Sequence, residues 1–113
     1  MLIKCQIDYP DAIQARYEGI IFETDRDSAT GYITRDYGFI FSYLSPSGER
    51  FIVVCGILAF GSQIAVETLL SLSAKSEAGK LLYESPKAFI AILGHVDGFE
   101  ITESKISTHL GIQ

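Results

Sequence analysis

The run Phe51-Ile52-Val53-Val54-Cys55-Gly56-Ile57 carries no charge, and a few residues later it gives way to a helical period from Ser62 to Ser73. A strand so uniformly apolar is expected at the centre of a sheet, covered on both faces. In the second stretch Ala65, Leu69 and Leu72 fall at i, i+4 and i+7, with Val66 and Leu70 widening that face, which predicts an amphipathic helix over 62–73. Ala74 to Gly79 reads as a helix end and loop, and Lys80 to Glu84 adds a turn of helix that Ser85-Pro86 stops. Ala88 to Leu93 then reads as a second buried strand. Strand 51–57, helix 62–73 and strand 88–93 together predict a βαβ crossover, right-handed and with its two strands parallel.

Hairpins are expected on either side. Tyr37 to Leu44 is rich in aromatic residues, and Ser45-Pro46-Ser47-Gly48-Glu49-Arg50 supplies turn chemistry before the apolar run. Val96-Asp97-Gly98-Phe99 fits a two-residue turn of type I′ centred on Asp97 and Gly98, with Glu100 to Thr102 and Ile106 to His109 completing a sheet edge. Toward the N-terminus, Leu2 to Ile7 alternates loosely enough for a short strand. Asp8 and Pro10 suit the start of a short helix toward Arg16, and Gly19 to Glu23 is a further strand. Thr24 to Gly31, the most polar stretch, reads as an exposed loop. The expected fold is α/β: one domain over residues 1–113, a layered mixed sheet with one central right-handed βαβ crossover and flanking hairpins.

Net charge narrows the partners. At −5, with no basic cluster, the chain is unsuited to neutralising phosphates, so nucleic acid is not expected. No stretch approaches the apolar length of a membrane span, and Met1 to Gln6 lacks the pattern of a signal peptide, so a cytoplasmic location is expected. Cys5 and Cys55, far apart in apolar surroundings, read as two buried thiols in a reducing compartment, with a disulfide between them as the alternative.

The turn Gly56-Ile57-Leu58-Ala59-Phe60-Gly61-Ser62-Gln63 is the segment best placed to carry chemistry. The first N–H groups of a helix have no intrahelical partner, and the helix dipole favours an anion there. Gly61 lets a ligand approach the backbone, and Ser62 and Gln63 bring N–H groups to it. Gly56 and Gly61 have P-loop spacing, but the lysine that would follow the second glycine is missing, as is G-x-G-x-x-G. The competing reading is structural: Gly56 for a tight strand exit, Gly61 and Ser62 for an ordinary helix cap. Asp36, in Asp36-Tyr37-Gly38, is expected where the polar loop meets a strand, as a turn residue or on the rim of the site. His95 follows the second buried strand and could stand at the same rim or near Cys55, although a buried thiol is usually inert. Glu67 and His109 read as solvated. No spacing of Cys or His suggests a metal, and no motif specifies a cofactor.

The pattern Asp36-Tyr37-Gly38-Phe39-Ile40, Pro46, Phe51 to Gly56, Gly61-Ser62 and Ala65 resembles a little-characterised group of prokaryotic Rossmann-like α/β domains. In that group a D-Y-G strand is followed by a strand ending in glycine and by a Gly-Thr turn into a helix, where this chain has Gly61-Ser62. The resemblance covers about residues 36–73 and implies a Rossmann-like fold with a sensing or nucleotide-binding role.

Three functions compete. The first is a non-catalytic sensor module that binds a nucleotide or small anion at Gly56, Gly61, Ser62 and Gln63, with Asp36 or His95 on the rim. The second is a structural or regulatory protein-interaction subunit, homo-oligomeric or with another partner; seven Phe and six Tyr in a small acidic chain leave aromatics for such a surface. The third is a small hydrolase or transferase using Asp36, His95 or Cys55, which no triad, metal motif or nucleophile elbow supports.

Overall fold

The computed structural model describes Gln6–Ile7 and residues 12–112. The elements in chain order are β1 (Gln6–Ile7), β2 (Ile13–Tyr17), β3 (Ile20–Glu23), β4 (Asp25–Arg26), β5 (Ile33–Leu44), β6 (Arg50–Gly56), α1 (Ala59–Ser71), α2 (Glu77–Glu84), β7 (Lys87–Asp97) and β8 (Glu100–Ile112). Strands β1-β2-β3 form a small sheet. The larger sheet runs β4-β5-β7-β8, with β6 also paired to β5.

Every strand pair is antiparallel. The expected layered α/β sheet with a central βαβ crossover is therefore wrong, and the architecture is mostly antiparallel β with two helices. Strands β6 and β7 do run in the same direction, but β5 lies between them and is antiparallel to both. The physical reason lies in β5. It is 12 residues long and covered on both faces, by the small sheet over Phe39 and Phe41 and by α1 seated on Asp36, Gly38 and Ile40, so it takes the central position, and α1 and α2 cross over it to deliver β7 to its other side.

Alternation along β5 and β7 builds two cores on the two faces of the sheet. On one face Ile40, Ile90 and Ile92 meet Ile64 and Ala65 of α1 and Ala78 and Leu82 of α2, with Ile52 and Val54 packed alongside. On the other, Phe39, Phe89 and Ala91 meet Ala15 and Phe22 of the small sheet, with Tyr17, Tyr37, Phe41 and Cys55 around them. Ring pairs hold this second layer, among them Tyr17–Phe89 at 4.4 Å and Phe22–Phe39 at 5.1 Å between centroids. The molecule is thus helices, sheet and hairpin in three layers.

Several local expectations change. Ile13–Tyr17, expected in a short helix, is a strand, because its side chains alternate between the aromatic core (Ala15 buried) and solvent. The start proposed for that helix, and most of the strand over 2–7, lie outside the described residues. Helix α1 begins at Ala59 rather than Ser62. The β7–β8 turn is centred on Gly98-Phe99 rather than Asp97-Gly98, since Asp97 pairs with Glu100 and the positive φ of 65° belongs to Gly98. Glycine at the first central position is the pattern of a type II′ turn. No helix among the described residues is long and apolar enough to cross a membrane.

The largest correction concerns the run that looked most central. Strand β6 is at the edge of the sheet: among the described residues it pairs with β5 alone. Phe51 is 51% exposed and Val53 47%. The central apolar strand is β7, with Ala88 through Ile92 all buried.

Candidate functional site

Helix α1 starts without a cap of its own. Leu58 occupies the N-cap position and has no side-chain acceptor to offer. Asp36 supplies one from the middle of β5. Its Oδ2 accepts from the Gly61 N–H at 2.6 Å, and its Oδ1 accepts from Tyr37 N–H at 2.8 Å and Leu58 N–H at 3.3 Å. Asp36 is fully buried, and burial raises its pKa above the ordinary carboxylate value while those three backbone donors pull it back down. It therefore sits neither at a loop–strand junction nor on a rim, as expected from sequence, but inside a strand beneath the helix.

The close approach depends on three glycines. A Cβ on Gly61 would land on the Tyr37 carbonyl, one on Gly38 would meet the Gly61 carbonyl, and one on Gly56 would strike the backbone of Gly61 and Ser62. D-Y-G in β5 and the two glycines flanking the turn thus form one contact, in which backbone seats directly on backbone. A Gly61→Val substitution would displace the helix and so could not test ligand binding alone.

The remaining residues of the expected site are dispersed. The Ser62 N–H bonds the Leu58 carbonyl at 3.2 Å, and its exposed hydroxyl approaches the same oxygen. Gln63 is exposed and donates to Glu67 at 3.0 Å. His95 lies opposite Arg35, whereas Asp36 lies opposite Gly94, so His95 and Asp36 occupy opposite faces of the sheet. Cys55 lies opposite Phe39, four residues along β5 from the position opposite His95, or roughly 13 Å at the rise of a strand. A Cys55–His95 pair is therefore not assembled. Cys5 lies outside the described residues. Among the described residues no group of His, Cys, Asp and Glu could hold a metal ion.

What the arrangement does chemically is hold a negative charge at a helix N-terminus, and that charge belongs to the protein. An incoming anion would have to displace Asp36 from donors that point at it. At the far end of the helical layer Arg50 plays the converse part. Its Nη1 lies 3.0 Å from the Leu82 carbonyl and 2.9 Å from the Ser85 carbonyl, at the C-terminus of α2, and 2.6 Å from Ser42 Oγ. Each helix is therefore capped by a charge of favourable sign from the hairpin β5–β6. Sequence reading missed both caps. The signal available for the first was an aspartate at the head of the aromatic run Tyr37–Tyr43, in a stretch that this pattern would make strand.

A second region stands out by exposure. Tyr43 faces Phe51 across the β5–β6 ladder and Phe41 faces Val53, so the four share a face, and Tyr43, Phe51 and Val53 are each about half exposed. On α1, Gln63 and Glu67 line a depression with Glu100 to Ser104 of β8, while Ile64 and Ala65 face the sheet. Helical geometry then puts Val66 (43% exposed) on the flank toward β6, while Leu70 (82% exposed), two turns on from Gln63, lies on the outer surface of the helix. Backbone bonds complete the picture. Ile57 N–H donates to Tyr37 O, and Leu44 N–H to Pro86 O beside β7, so odd residues of β5 turn toward β6. Odd residues of β6 are their partners, which leaves the N–H and C=O groups of Ile52 and Val54 on the outer side. Comparison with protein families, curated proteins and solved structures finds no match to this chain.

Proposed function

We propose that the chain is a protein-interaction module that works through the β6 flank. The observation that carries this reading is an edge strand, Arg50–Gly56, whose outward backbone groups are unpaired among the described residues and whose side chains and neighbours Tyr43, Phe51, Val53 and Val66 are apolar and exposed. Natural edges are normally blunted by charges, proline, bulges or a covering element, because an open edge templates pairing with another strand. Strand β6 has no proline and no register shift, and its one charge, Arg50, is turned under the sheet to cap α2. A partner strand laid along β6 would take up the Ile52 and Val54 groups and cover the apolar side chains, which is the β-augmentation mode of recognition.

This reading takes precedence over a small-anion sensor because Asp36 already engages the Gly61 and Leu58 N–H groups. The test compares the wild-type chain with Val53→Lys as bait, with Glu103→Lys on the opposite edge as control. A polypeptide retained by wild type and Glu103→Lys but lost with Val53→Lys, and that slows amide exchange at Ile52 and Val54, is the expected result. Retention indifferent to Val53→Lys would remove the β6 flank from the function.

A further inference from the structure

We infer that the strand received by β6 is β6 of a second copy of this chain, paired antiparallel about a two-fold axis at Val53. The inference rests on the interaction reading and names its partner. Pairing the whole of Arg50–Gly56 with itself fixes one register: Val53 opposite the partner's Val53, Ile52 opposite the partner's Val54, Phe51 opposite the partner's Cys55, Arg50 opposite the partner's Gly56. In that register the outward groups of Ile52 and Val54 meet complementary groups of the other copy, and Val53 falls at a non-hydrogen-bonded position, where opposed Cα atoms are only about 4.5 Å apart.

An isologous interface must be compatible with itself at every position, and β6 meets that condition. Its central residues are apolar in both directions from Val53, so no position needs an opposite charge that the same strand cannot supply. Arg50 falls opposite the smallest residue, with its guanidinium held by Ser42, Leu82 and Ser85. Elsewhere the surface opposes self-association: the chain carries a net charge of −5, and the opposite edge, β8, displays Glu100, Glu103 and Lys105.

The two-fold also preserves faces. Phe51 and Val53 of both copies come together on one side, and on the other α1 comes beside the partner's α1 with Val66 between them. The sheet would then run continuously, β8-β7-β5-β6 followed by the same strands in reverse order. The exposed parts of Phe51, Val53 and Val66 amount to on the order of 250 Å² per copy, which with the paired backbone gives a small interface, below the roughly 1,000 Å² typical of a tight specific complex. A weak, reversible dimer that forms at high micromolar concentration is the expected strength.

The experiment is sedimentation velocity of the full chain from low micromolar to near-millimolar concentration, wild type against Val53→Lys, with circular dichroism confirming that the variant stays folded. Wild type should pass from monomer to dimer, and Val53→Lys should raise the dissociation constant at least tenfold. In parallel, Val53→Cys in a Cys5→Ser, Cys55→Ser background should form an intermolecular disulfide on mild oxidation, because opposed Cα atoms at that spacing are within disulfide reach. Ser104→Cys on β8 in the same background should not. A wild-type chain that stays monomeric throughout, or a dimer that survives Val53→Lys and is not trapped through Val53→Cys, overturns the self-pairing. If a monomeric chain still retains a different polypeptide in a Val53-dependent way, the interaction reading stands with another occupant. If it retains none, both readings fall.

Discussion

Strands β6 and β7 are the two apolar runs of this chain, and they have opposite fates. In β7 the residues Ala88 through Ile92 are all buried between the helices and the small sheet. In β6 the odd residues Phe51 and Val53 are about half exposed while Ile52 and Val54 pack beneath α1. The difference teaches that apolar content assigns a strand to a sheet but does not assign it a neighbour on both sides. A fully covered strand and an unguarded edge carry the same sequence signature.

That contrast can be broken by substitution, and the largest effect should come from its buried side. Ile90→Ala, at a position with no exposure, should cost about 4 kcal/mol in urea unfolding, near the upper part of the range for emptying a core site. A loss under about 1 kcal/mol would mean that β7 is less tightly covered than the packing indicates.

Glycines should reverse the ranking of the two strands. Gly56→Ala at the end of β6 drives a Cβ into the backbone of Gly61 and Ser62, whereas Gly94→Ala in β7 meets the flexible tip of Ile64. We expect a loss of roughly 3 kcal/mol for the first and about 1 kcal/mol or less for the second, read as shifts in the unfolding midpoint. Equal losses would show that β6 is not anchored at its C-terminal end by α1.

Asp36→Ala comes next. It leaves the Gly61 and Leu58 N–H groups without their acceptor beneath the helix, at a cost of about 2 kcal/mol. Asp36 also gives a pH signature. Its folded-state pKa is raised by burial, so the folded state holds the proton to higher pH than the unfolded state does. Its contribution is fully present below the ordinary carboxylate range and is lost as pH rises through the raised value. Wild-type stability should therefore fall across that window relative to Asp36→Asn, measured by unfolding at a series of pH values. A wild-type curve parallel to that of the variant would mean that the three donors fully offset the desolvation.

The smallest effect is expected at the exposed side of the comparison. Val53→Ala should change monomer stability by no more than about 0.5 kcal/mol. A larger loss in dilute solution would place Val53 in the core and remove the argument for an open edge.

How much of this was legible beforehand varies by residue. The hairpin joining Tyr37–Leu44 to the following apolar run could be read from Ser45 to Arg50, because turn chemistry is local. The helical period after Gly61 could be read from Ala65, Leu69 and Leu72, although the helix begins earlier, at Ala59. The expected anion site was half legible. A helix N-terminus does lie at that turn and does take a negative charge, but the charge comes from Asp36, 25 residues away in sequence from Gly61. His95 could not be placed, since its face depends on the register between β5 and β7. Arg50 looked like a turn residue and turned out to cap α2, because the hairpin brings it beneath a helix that has yet to appear in the chain.

By itself the sequence determined the local geometry: the turns, the helical period, the alternation that puts Tyr37, Phe39, Phe41 and Tyr43 on one face of β5, and the acidic balance of the chain. These follow from backbone sterics, side-chain periodicity and net charge, all of which act over a few residues or over the whole composition. Only the tertiary structure decided which strands are neighbours, that β5 rather than β6 occupies the centre, and that Asp36 closes the helix end it was expected to border. Strand order depends on which of several apolar runs can be covered at once by the same two helices and one hairpin, and that competition among distant segments leaves no mark on any one of them.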